Sequence, residues 1–402
     1  MKILFLTDNF PPEVNAPANR TFEHCREWVK EGVEVTVITG VPNFPKGRVF
    51  SGYSNRLYQE EYIEGIRVVR IWTIIAANEG FLKRILDYLS FAFMAFLSGL
   101  RIKTDLIIAT SPQFFTAVAG HWLAFFRGKK WVMEVRDLWP ESIVAVGAMN
   151  NGSTLRILEW LEKRLYQSAD RIVVVTDTFK EKIVARGIDP GKVAVFKNGV
   201  SLINFRPRVK DEELVERLGL KGKFVVGYIG TLGMAHGLNF ILNAIIELRT
   251  SHPELLFLFI GDGAEKQKLL LQAQKLGISN ALFLDSVSKA EVHRYLSLQD
   301  VALVNLRKSE TFKAVIPSKI FEAAAMEKPI LLGLEGEARE IVEFFGAGVC
   351  YMPEDKMSFL NALEEIRRPE KYSKAKIGTN ALSLKFGRKD IARKMLIFLK
   401  SI

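Results

Sequence analysis

Short apolar segments alternate with longer amphipathic ones along the whole chain, and this alternation constrains the fold most. Many of the short segments are continuous runs of Val, Ile, Leu and Phe, which is typical of parallel strands covered on both faces. Strands interleaved with helices imply βαβ units and a parallel sheet. The predicted strands are 2–7, 34–39, 66–72, 105–110, 130–136, 171–176, 192–197, 223–229, 255–260, 281–284, 301–306, 329–334 and 348–352.

The alternation runs through the chain twice, so we predict an α/β protein with two Rossmann-like domains. A chain of 402 residues is too long for one compact core. Asn198-Gly199-Val200 is a turn signal followed by a stretch without periodicity. We therefore expect an N-terminal domain at 1–200, a C-terminal domain at 201–385, and a helix at 386–402 that could pack back on the N-terminal domain. The carboxyl ends of the two parallel sheets are expected to face a central cleft, where loops and helix N-termini converge.

The formal net charge of +11 indicates an anionic partner, which could be nucleic acid, phospholipid or a phosphorylated small molecule. Nucleic acid has the least support, because the chain carries no zinc-finger spacing, basic zipper or aromatic-basic RNA-binding motif. Cys25 and Cys350 lie far apart, which fits a reducing cytosol rather than a disulfide framework. The first apolar run, Ile3 to Leu6, is too short for a signal-peptide core and predicts a strand.

Residues 81–103 stand apart from the rest of the first half. Their uncharged run from Tyr88 to Leu100 is shorter than the ~20 residues that a membrane-spanning helix needs. Lysines and arginines bracket this apolar middle. Two interpretations stay open, a core helix of the first domain and a helix lying in the membrane interface.

Two glycine-rich loops follow strands of the second half. Gly230-Thr231-Leu232 ends strand 223–229, and Gly261-Asp262-Gly263 ends strand 255–260. Glycines let a backbone approach a phosphate at a helix N-terminus, so both loops are candidates for binding one. Plain tight turns are the alternative for the glycines, and helix capping is the alternative for Asp262.

The segment from Arg307 to Pro329 is the richest in chemistry. Pro317 and Ser318 predict a helix start. Lys319 then falls in the first turn, where a cation opposes the helix dipole unless an anion shares the site. Glu322 lies one turn beyond Ser318, and its carboxylate could accept two hydrogen bonds from a ribose diol. The alternatives are a solvated lysine and a glutamate that only complements the helix dipole.

Candidate residues of the first half follow two of its strands. Asp137 and Glu141 end strand 130–136 and could orient an acceptor hydroxyl or take its proton, or they could brace the loop by pairing with arginine. Asn15 and Ala16 lie between the first strand and the first helix, where a backbone of small residues could face a phosphate. Arg20 could pair with that phosphate or simply be exposed.

These pieces, in this order, resemble the retaining GT-B glycosyltransferases of family 4 over essentially the whole chain. Asn198-Gly199-Val200 resembles the family's interdomain connector, and Pro317 to Pro329 resembles the second half of its double-glutamate motif. Phe10-Pro11-Pro12-Glu13 and the segment from Arg136 to Ser142 are similar to a bacterial subgroup that builds O-antigen, capsule or colanic-acid polysaccharides. The likeness extends to N-acetyl-L-fucosamine transferases, so an N-acetylated deoxy-amino sugar is one candidate substrate.

The resemblance implies transfer from a UDP-sugar with retention at the anomeric carbon and without an obligatory metal or other cofactor. By position, Glu322 would bind the ribose, and Ser318 and Lys319 would lie near the diphosphate. The loops Gly230–Leu232 and Ser286–Ser288, the second centred on Val287, would flank the nucleotide. Asn15 and Ala16 would touch the phosphates from the other domain.

The sequence departs from the family pattern at its charged positions. The first glutamate of the motif falls at Ala314, and the usual Arg and Lys after the glycine-rich loop fall at Thr231 and about His236. The family's frequent histidine has no match near Ser111-Pro112-Gln113. A departing diphosphate needs positive charge, and the best candidates to supply it are Arg307, Lys313 and Lys319. We hypothesise that Lys319 stabilises the leaving group.

The sequence therefore predicts an enzyme that transfers a sugar to a lipid-diphosphate-linked saccharide at the cytoplasmic face of an anionic membrane. A UDP-sugar epimerase of the same fold is one alternative. A non-catalytic, membrane-associated nucleotide-sugar-binding protein is another.

Overall fold

The computed structural model describes residues 1–44, 47–75, 81–111, 114–141, 152–288 and 291–402, without the side chains at 81, 82, 153 and 154. Within these ranges the strands β1 to β14 are Lys2–Leu6, Glu34–Gly40, Tyr58–Ile63, Ile66–Ile71, Leu106–Thr110, Lys130–Val135, Arg171–Val174, Val193–Val195, Phe224–Ile229, Leu255–Ile260, Ala281–Leu284, Val301–Asn305, Ile330–Gly333 and Gly348–Tyr351. The helices α1 to α15 of the same ranges are Ala16–Lys30, Phe81–Gly99, Phe114–Arg127, Ser153–Ser168, Asp177–Ala185, Glu212–Arg217, Leu238–Ile245, Leu248–Ser251, Lys266–Lys275, Val292–Leu298, Ser318–Ala325, Glu337–Phe344, Lys356–Arg367, Pro369–Lys385 and Arg388–Lys400. Short 3₁₀ helices lie at Pro190–Lys192, Met234–His236 and Thr311–Ala314.

The chain forms two compact units, each with its own sheet. The first unit consists of Met1–Lys197 together with Arg388–Ile402, and the second consists of Asn198–Gly387. The chain thus leaves the first unit three residues before the predicted boundary and re-enters it at Arg388.

The sheet of the first unit has the order β3-β4-β2-β1-β5-β6-β7-β8 among the described strands. Its strands are parallel except for β3, which pairs antiparallel with β4 at the edge. The sequence analysis did not predict β3, because its polar sequence contains no apolar run. Glu64 and Gly65 join β3 to β4 with φ of 48° and 82°, and two residues at positive φ are typical of a type I′ hairpin turn.

The sheet of the second unit is parallel throughout its described strands, in the order β11-β10-β9-β12-β13-β14. Its interior strands β12 and β13 are buried at every residue. Continuous apolar sequence is what a strand covered on both faces requires. This sheet therefore matches the sequence pattern more closely than the first one.

The C-terminal helix α15 belongs to the core of the first unit. Its residues Met395, Leu396 and Leu399 are buried in one cluster with Trp28 of α1. The indole Nε1 of Trp28 donates a hydrogen bond to the carbonyl oxygen of Ala392 at 2.9 Å. Helix α15 therefore belongs to the first unit, although it follows the whole second unit in the sequence.

Helix α2 covers most of segment 81–103 and combines a core face with a surface face. Phe91 and Ala95 are buried, whereas Leu89 and Phe93 are exposed. Among the described residues, none of the helices is both long enough and apolar enough to span a bilayer.

Replacing Met395 by Ala should lower the free energy of unfolding of the first unit by about 2–4 kcal/mol, because it leaves a cavity in a well-packed cluster. All six tryptophans lie before residue 197, so tryptophan fluorescence during urea denaturation reports this unit. The matched control is Ile397→Ala on the same helix. Ile397 is 71% exposed, so its substitution should change stability by less than about 0.5 kcal/mol. Equal effects of the two variants would contradict the packing of α15 on α1.

Candidate functional site

Two glycine-rich loops interlock at the carboxyl edge of the second sheet. The loop after β9 and the loop after β10 exchange three backbone hydrogen bonds: Gly230 N to Ile260 O at 2.8 Å, Leu232 N to Asp262 O at 2.9 Å, and Glu265 N to Leu232 O at 2.9 Å. The loops therefore form one backbone assembly.

The glycines of these loops are required by the approach of one backbone to the other. A Cβ on Gly261 would lie 1.9 Å from Gly230 O, and one on Gly263 would lie 2.5 Å from Leu232 O. Both glycines also have φ near +155°, where an L side chain is strained. Close packing of the loops thus explains these two glycines without a phosphate.

The loop residues that were predicted to contact the nucleotide differ in their exposure to solvent. Leu232 is buried and both its backbone groups bond to the neighbouring loop, so we assign it to packing. Thr231 and Asp262 are exposed. Asp262 accepts from its neighbour Gly263 N at 2.8 Å, and α9 begins later, at Lys266, so Asp262 does not cap that helix. Val287 is half-buried against an apolar cluster.

Lys319 lies in the first turn of α11 and reaches back to these loops. Its Nζ donates to Tyr228 Oη at 3.1 Å and lies 4.5 Å from the centroid of that ring. A Cβ on Gly230 would come within 2.5 Å of Nζ, so this glycine makes room for the ammonium. Burial lowers the pKa of Lys319 to about 8, while the charge of Glu322 acts in the opposite direction.

The other candidate cations near this edge are differently placed. Burial, reinforced by the charge of Lys319, lowers the pKa of His236 to about 3, so its imidazole is neutral at physiological pH. Arg307 is exposed and lies 3.5 Å from Glu354. Lys313 pairs with Glu310 at 2.7 Å. Arg307 and Lys313 thus face carboxylates, whereas the ammonium of Lys319 lies against Gly230 of the glycine loops.

Helix α11 begins where the sequence predicts, but Pro317 and Ser318 occupy different positions from the predicted ones. Pro317 occupies the capping position and Ser318 is the first helical residue, without a side-chain cap. Glu322 follows one turn later, half-buried, and its charge acts on Lys319. Ala314, the position of the motif's first glutamate, is buried, with 1% of its surface exposed. A carboxylate at that position would have to be buried as well.

The sequence analysis did not predict three polar residues that lie at this edge. Asn305, the last residue of β12, donates to His236 O at 2.7 Å and accepts from Tyr351 Oη at 2.6 Å. Tyr228 donates to Thr231 O at 2.6 Å. Both tyrosines lie within apolar strands and look like core residues in the sequence. The asparagine at the carboxyl end of a buried strand is the one signal that could have been used.

Asn15 and Ala16 begin α1 in the first unit. Asn15 is the N-cap of this helix, and its Oδ1 accepts from Ala18 N at 2.9 Å. Its Nδ2 donates to Asn9 Oδ1 at 2.7 Å. Ala16 is exposed in the first turn. The N-terminus of α1 is therefore capped by its own chain, and phosphate binding by these residues stays a prediction.

The prediction that Arg20 pairs with a phosphate or is exposed is wrong. Its side chain is 2% exposed, and its Nε donates to Glu134 Oε1 at 3.0 Å. The guanidinium also donates to the carbonyl oxygens of Phe196 at 2.9 Å and Lys197 at 3.1 Å. Arg20 therefore ties α1 to β6 and to the end of the first unit's main segment.

Asp137 and Glu141 have different surroundings after β6. One carboxylate oxygen of Glu141 lies 3.0 Å from Lys182 Nζ, and the other contacts Arg186. The structure thus supports the bracing interpretation of Glu141. The carbonyl oxygen of Asp137 accepts from Ser111 Oγ at 3.4 Å, and a role of its partly buried side chain in catalysis stays a prediction. Pro112 and Gln113, where the family's histidine was sought, lie outside the described residues.

Within the described ranges, no three His, Cys, Asp or Glu side chains are grouped so that they could hold a metal ion. At the carboxyl edge of its sheet, the second unit instead presents the Lys319 ammonium, the Glu322 carboxylate and a hydrogen-bonded pair of loops. Such an edge can bind an anion beside a polar ligand group.

Comparison with known proteins identifies both halves of the chain. Residues 15–199 match the family model described as "Glycosyl transferase 4-like domain", and residues 210–382 match "Glycosyl transferases group 1". The Escherichia coli K12 protein WcaI, named as a colanic acid biosynthesis glycosyl transferase, is 28% identical over 88% of this chain and 89% of its own. The Pseudomonas aeruginosa protein WbjE, named as a glycosyltransferase, is 28% identical over 68% of this chain and 70% of its own.

Solved structures share the fold. The Anabaena protein HepE matches with a TM-score of 0.72 in its UDP complex and 0.74 in its UDP-glucose complex, at 17% and 18% identity over 100% of both chains. Sucrose-phosphate synthase from Thermosynechococcus elongatus matches with a TM-score of 0.75 at 15% identity, over 100% of this chain and 98% of its own. The predicted architecture of two Rossmann-like domains is confirmed.

Replacing Gly261 by Ala should lower the free energy of unfolding of the second unit by more than about 2 kcal/mol, because the new Cβ meets the carbonyl of Gly230. Gly233→Ala, in the same assembly, is the control. Its Cβ would have ordinary contacts at 3.5 Å and beyond, so stability should change by less than about 1 kcal/mol. Urea denaturation followed by circular dichroism measures the effect. Tryptophan fluorescence should show that the stability of the first unit is unchanged. An equally mild effect at Gly261 would disprove the interlocking of the loops.

Proposed function

This chain belongs to the GT-B glycosyltransferases of family 4, in the bacterial subgroup that builds surface polysaccharides, and from this we propose its substrates and reaction. We propose that it moves a sugar from a UDP-sugar to a lipid-diphosphate-linked saccharide, with retention at the anomeric carbon. The observation that carries this proposal is the Lys319 ammonium, held beside Tyr228 at the glycine loops of the second unit.

A UDP-linked donor is supported by the fold and by the chemistry of this edge. The structural neighbour HepE was solved with UDP and with UDP-glucose. In this chain, an ammonium in the first turn of α11 opposes the helix dipole, and a bound diphosphate would reverse that cost. The nucleotide is thus expected to lie with its diphosphate toward Lys319.

Lys319 would act mainly as the departing diphosphate gains charge. In the reaction the bond between the anomeric carbon and the diphosphate oxygen breaks and a bond to an acceptor oxygen forms. The acceptor hydroxyl gives its proton to the departing diphosphate, which leaves as UDP. A fixed cation near the leaving oxygen stabilises this transition state. The proposal assigns that charge to a side chain and no step to a metal ion, so a chelator should leave activity unchanged.

Glu322 would hold the ribose of the nucleotide. It lies one turn after the start of α11, on the helix that carries Lys319, and its carboxylate can accept hydrogen bonds from two neighbouring hydroxyls. Ala314 occupies the position of the motif's first glutamate and is buried. We therefore assign Glu322 to the nucleotide and no glutamate to the sugar.

The acceptor is proposed to be a lipid-linked saccharide at the cytoplasmic face of the membrane, in line with the net charge of +11. Release of free UDP, measured with donor and acceptor together and with each alone, tests the reaction. Transfer releases UDP only when both are present. An epimerase would leave UDP attached to the sugar, and a non-catalytic binding protein would release none; either result would refute the proposal.

Replacing Lys319 by Met should separate stability from function. The substitution removes a desolvated cation, so the unfolding temperature should stay the same or rise, while turnover at saturating donor should fall at least about tenfold. Thermal denaturation and initial rates measure the two effects. Full turnover of Lys319→Met at saturating donor would rule out the proposed role.

The pH dependence of UDP binding gives an independent check of this role. Because the pKa of Lys319 is about 8, its positive charge is present below that pH and is lost as the pH rises. The wild-type affinity for UDP should therefore fall above pH 8 by up to about tenfold per unit. Calorimetric titrations should show this decline in the wild type and no such decline in Lys319→Met.

Replacing Glu322 by Gln should raise the donor KM by roughly tenfold or more, because a hydrogen bond to a charged group contributes about 1.5–3 kcal/mol. The value of kcat should change less, since the ribose contact is made before and during reaction. Glu327→Gln, just beyond the C-terminal end of the same helix, is the control, because Glu327 pairs at 3.6 Å with Lys376 instead. A donor KM unchanged in Glu322→Gln would count against the whole placement of the nucleotide.

A further inference from the structure

Helix α2 presents an uninterrupted apolar stripe to solvent. Leu86, Leu89, Phe93 and Leu97 are all exposed, although their side chains are large and apolar. Their spacing of three and four residues places them on one face of the helix. The opposite face is in the core, where Phe91 and Ala95 are fully buried. The stripe is therefore an ordered feature of the surface, held by a helix that is itself well packed.

Helix α3 extends this stripe with exposed aromatic rings. Trp122, Phe125 and Phe126 are all exposed at its C-terminal end. The ring of Phe126 meets that of Phe96 on α2 with 5.7 Å between centroids, which joins the two helices into one apolar face. We call this the α2–α3 face, composed of Leu86, Leu89, Phe93, Phe96, Leu97, Trp122, Phe125 and Phe126. Large rings are costly to leave in water, so a face of this kind indicates an interaction site.

Basic side chains flank the α2–α3 face at both ends. Lys83 and Arg84 are exposed at the start of α2, and Arg101, Lys103 and Lys129 are exposed near the ends of α2 and α3. In the part of the chain that the structure describes, no carboxylate forms an ion pair with Lys83, Arg101, Lys103 or Lys129. Apolar rings between unpaired cations are the pattern of a helix that lies in the interface of an anionic membrane.

We propose that the α2–α3 face docks this protein on an anionic lipid bilayer, with the apolar stripe and aromatic rings in the interface and the flanking cations at the phosphates. The charge pattern favours a bilayer over a second copy of the chain, because two copies would bring their basic ends together. The inference rests on the proposed function, since a lipid-linked acceptor lies in a membrane. It adds the surface that brings the enzyme there.

Vesicle binding of the intact protein tests this proposal without any acceptor present. The wild type should co-sediment with vesicles of phosphatidylcholine and phosphatidylglycerol in equal parts. Binding should be at least about tenfold weaker with phosphatidylcholine alone, and it should weaken as salt rises. Wild type that fails to bind the anionic vesicles at low salt would overturn the proposal.

The double variant Phe93→Ser, Phe125→Ser removes two rings from the face and should reduce vesicle binding by at least about tenfold. Both rings are exposed, so its unfolding temperature should match that of the wild type. The matched control is Leu271→Ser, Phe344→Ser, which removes exposed apolar side chains from the second unit and should bind vesicles like the wild type. A double variant on the α2–α3 face that binds like the wild type would refute the proposal. A second result would also refute it: light scattering shows that the wild type is a dimer, this dimer does not bind vesicles, and only the Phe93→Ser, Phe125→Ser variant dissociates it.

Activity separates this inference from the proposed function. The Phe93→Ser, Phe125→Ser variant should transfer sugar to a short-chain, water-soluble acceptor analogue at the wild-type rate and lose transfer to a long-chain acceptor in vesicles. If vesicle binding depends on the face but no acceptor is ever glycosylated, the docking inference stands and the proposed function fails. If transfer in vesicles is the same in the variant and the wild type, the docking inference fails and the proposed function stands.

Discussion

A partly buried ammonium group in the first turn of α11 is the constraint around which the carboxyl edge of the second unit is built. Burial and the helix dipole both disfavour the charge of Lys319, and its pKa of about 8 reflects the burial. Its surroundings offset that cost only in part, through the ring and hydroxyl of Tyr228 and the charge of Glu322. A side chain kept at such a cost is expected where an anionic ligand completes the site.

The space for this ammonium is created by backbone packing. Gly230 lacks the Cβ that would meet Lys319, and its carbonyl group lies where a Cβ on Gly261 would be. The two loops are therefore fixed to each other by hydrogen bonds and by the absence of side chains. A rigid edge of this kind holds a cation in place before any ligand arrives, which lowers the free-energy cost of organising the site at binding.

Sequence reasoning succeeded where a single local pattern determines the structure. Continuous apolar runs predicted the central strands, and Pro317 with Ser318 marked the start of α11. It failed where the outcome depends on distant residues. Arg20 looks like an exposed arginine of a first helical turn, yet it is buried because β6 brings Glu134 beneath α1. The glycines of the two loops were interpreted either as phosphate-binding or as plain tight turns. Gly261 and Gly263 are needed because a neighbouring backbone approaches them, which no local pattern reveals.

Segment 81–103 shows why its sequence could not separate the buried face of a helix from an exposed one. A helical period of 3.6 residues distributes a uniformly apolar segment over all faces of the helix. In α2 the face with Phe91 lies in the core, and the face with Phe93 lies at the surface. Composition alone cannot separate these faces, because both are apolar. Their separation depends on the direction from which the sheet and α3 approach, and that direction is a property of the tertiary fold.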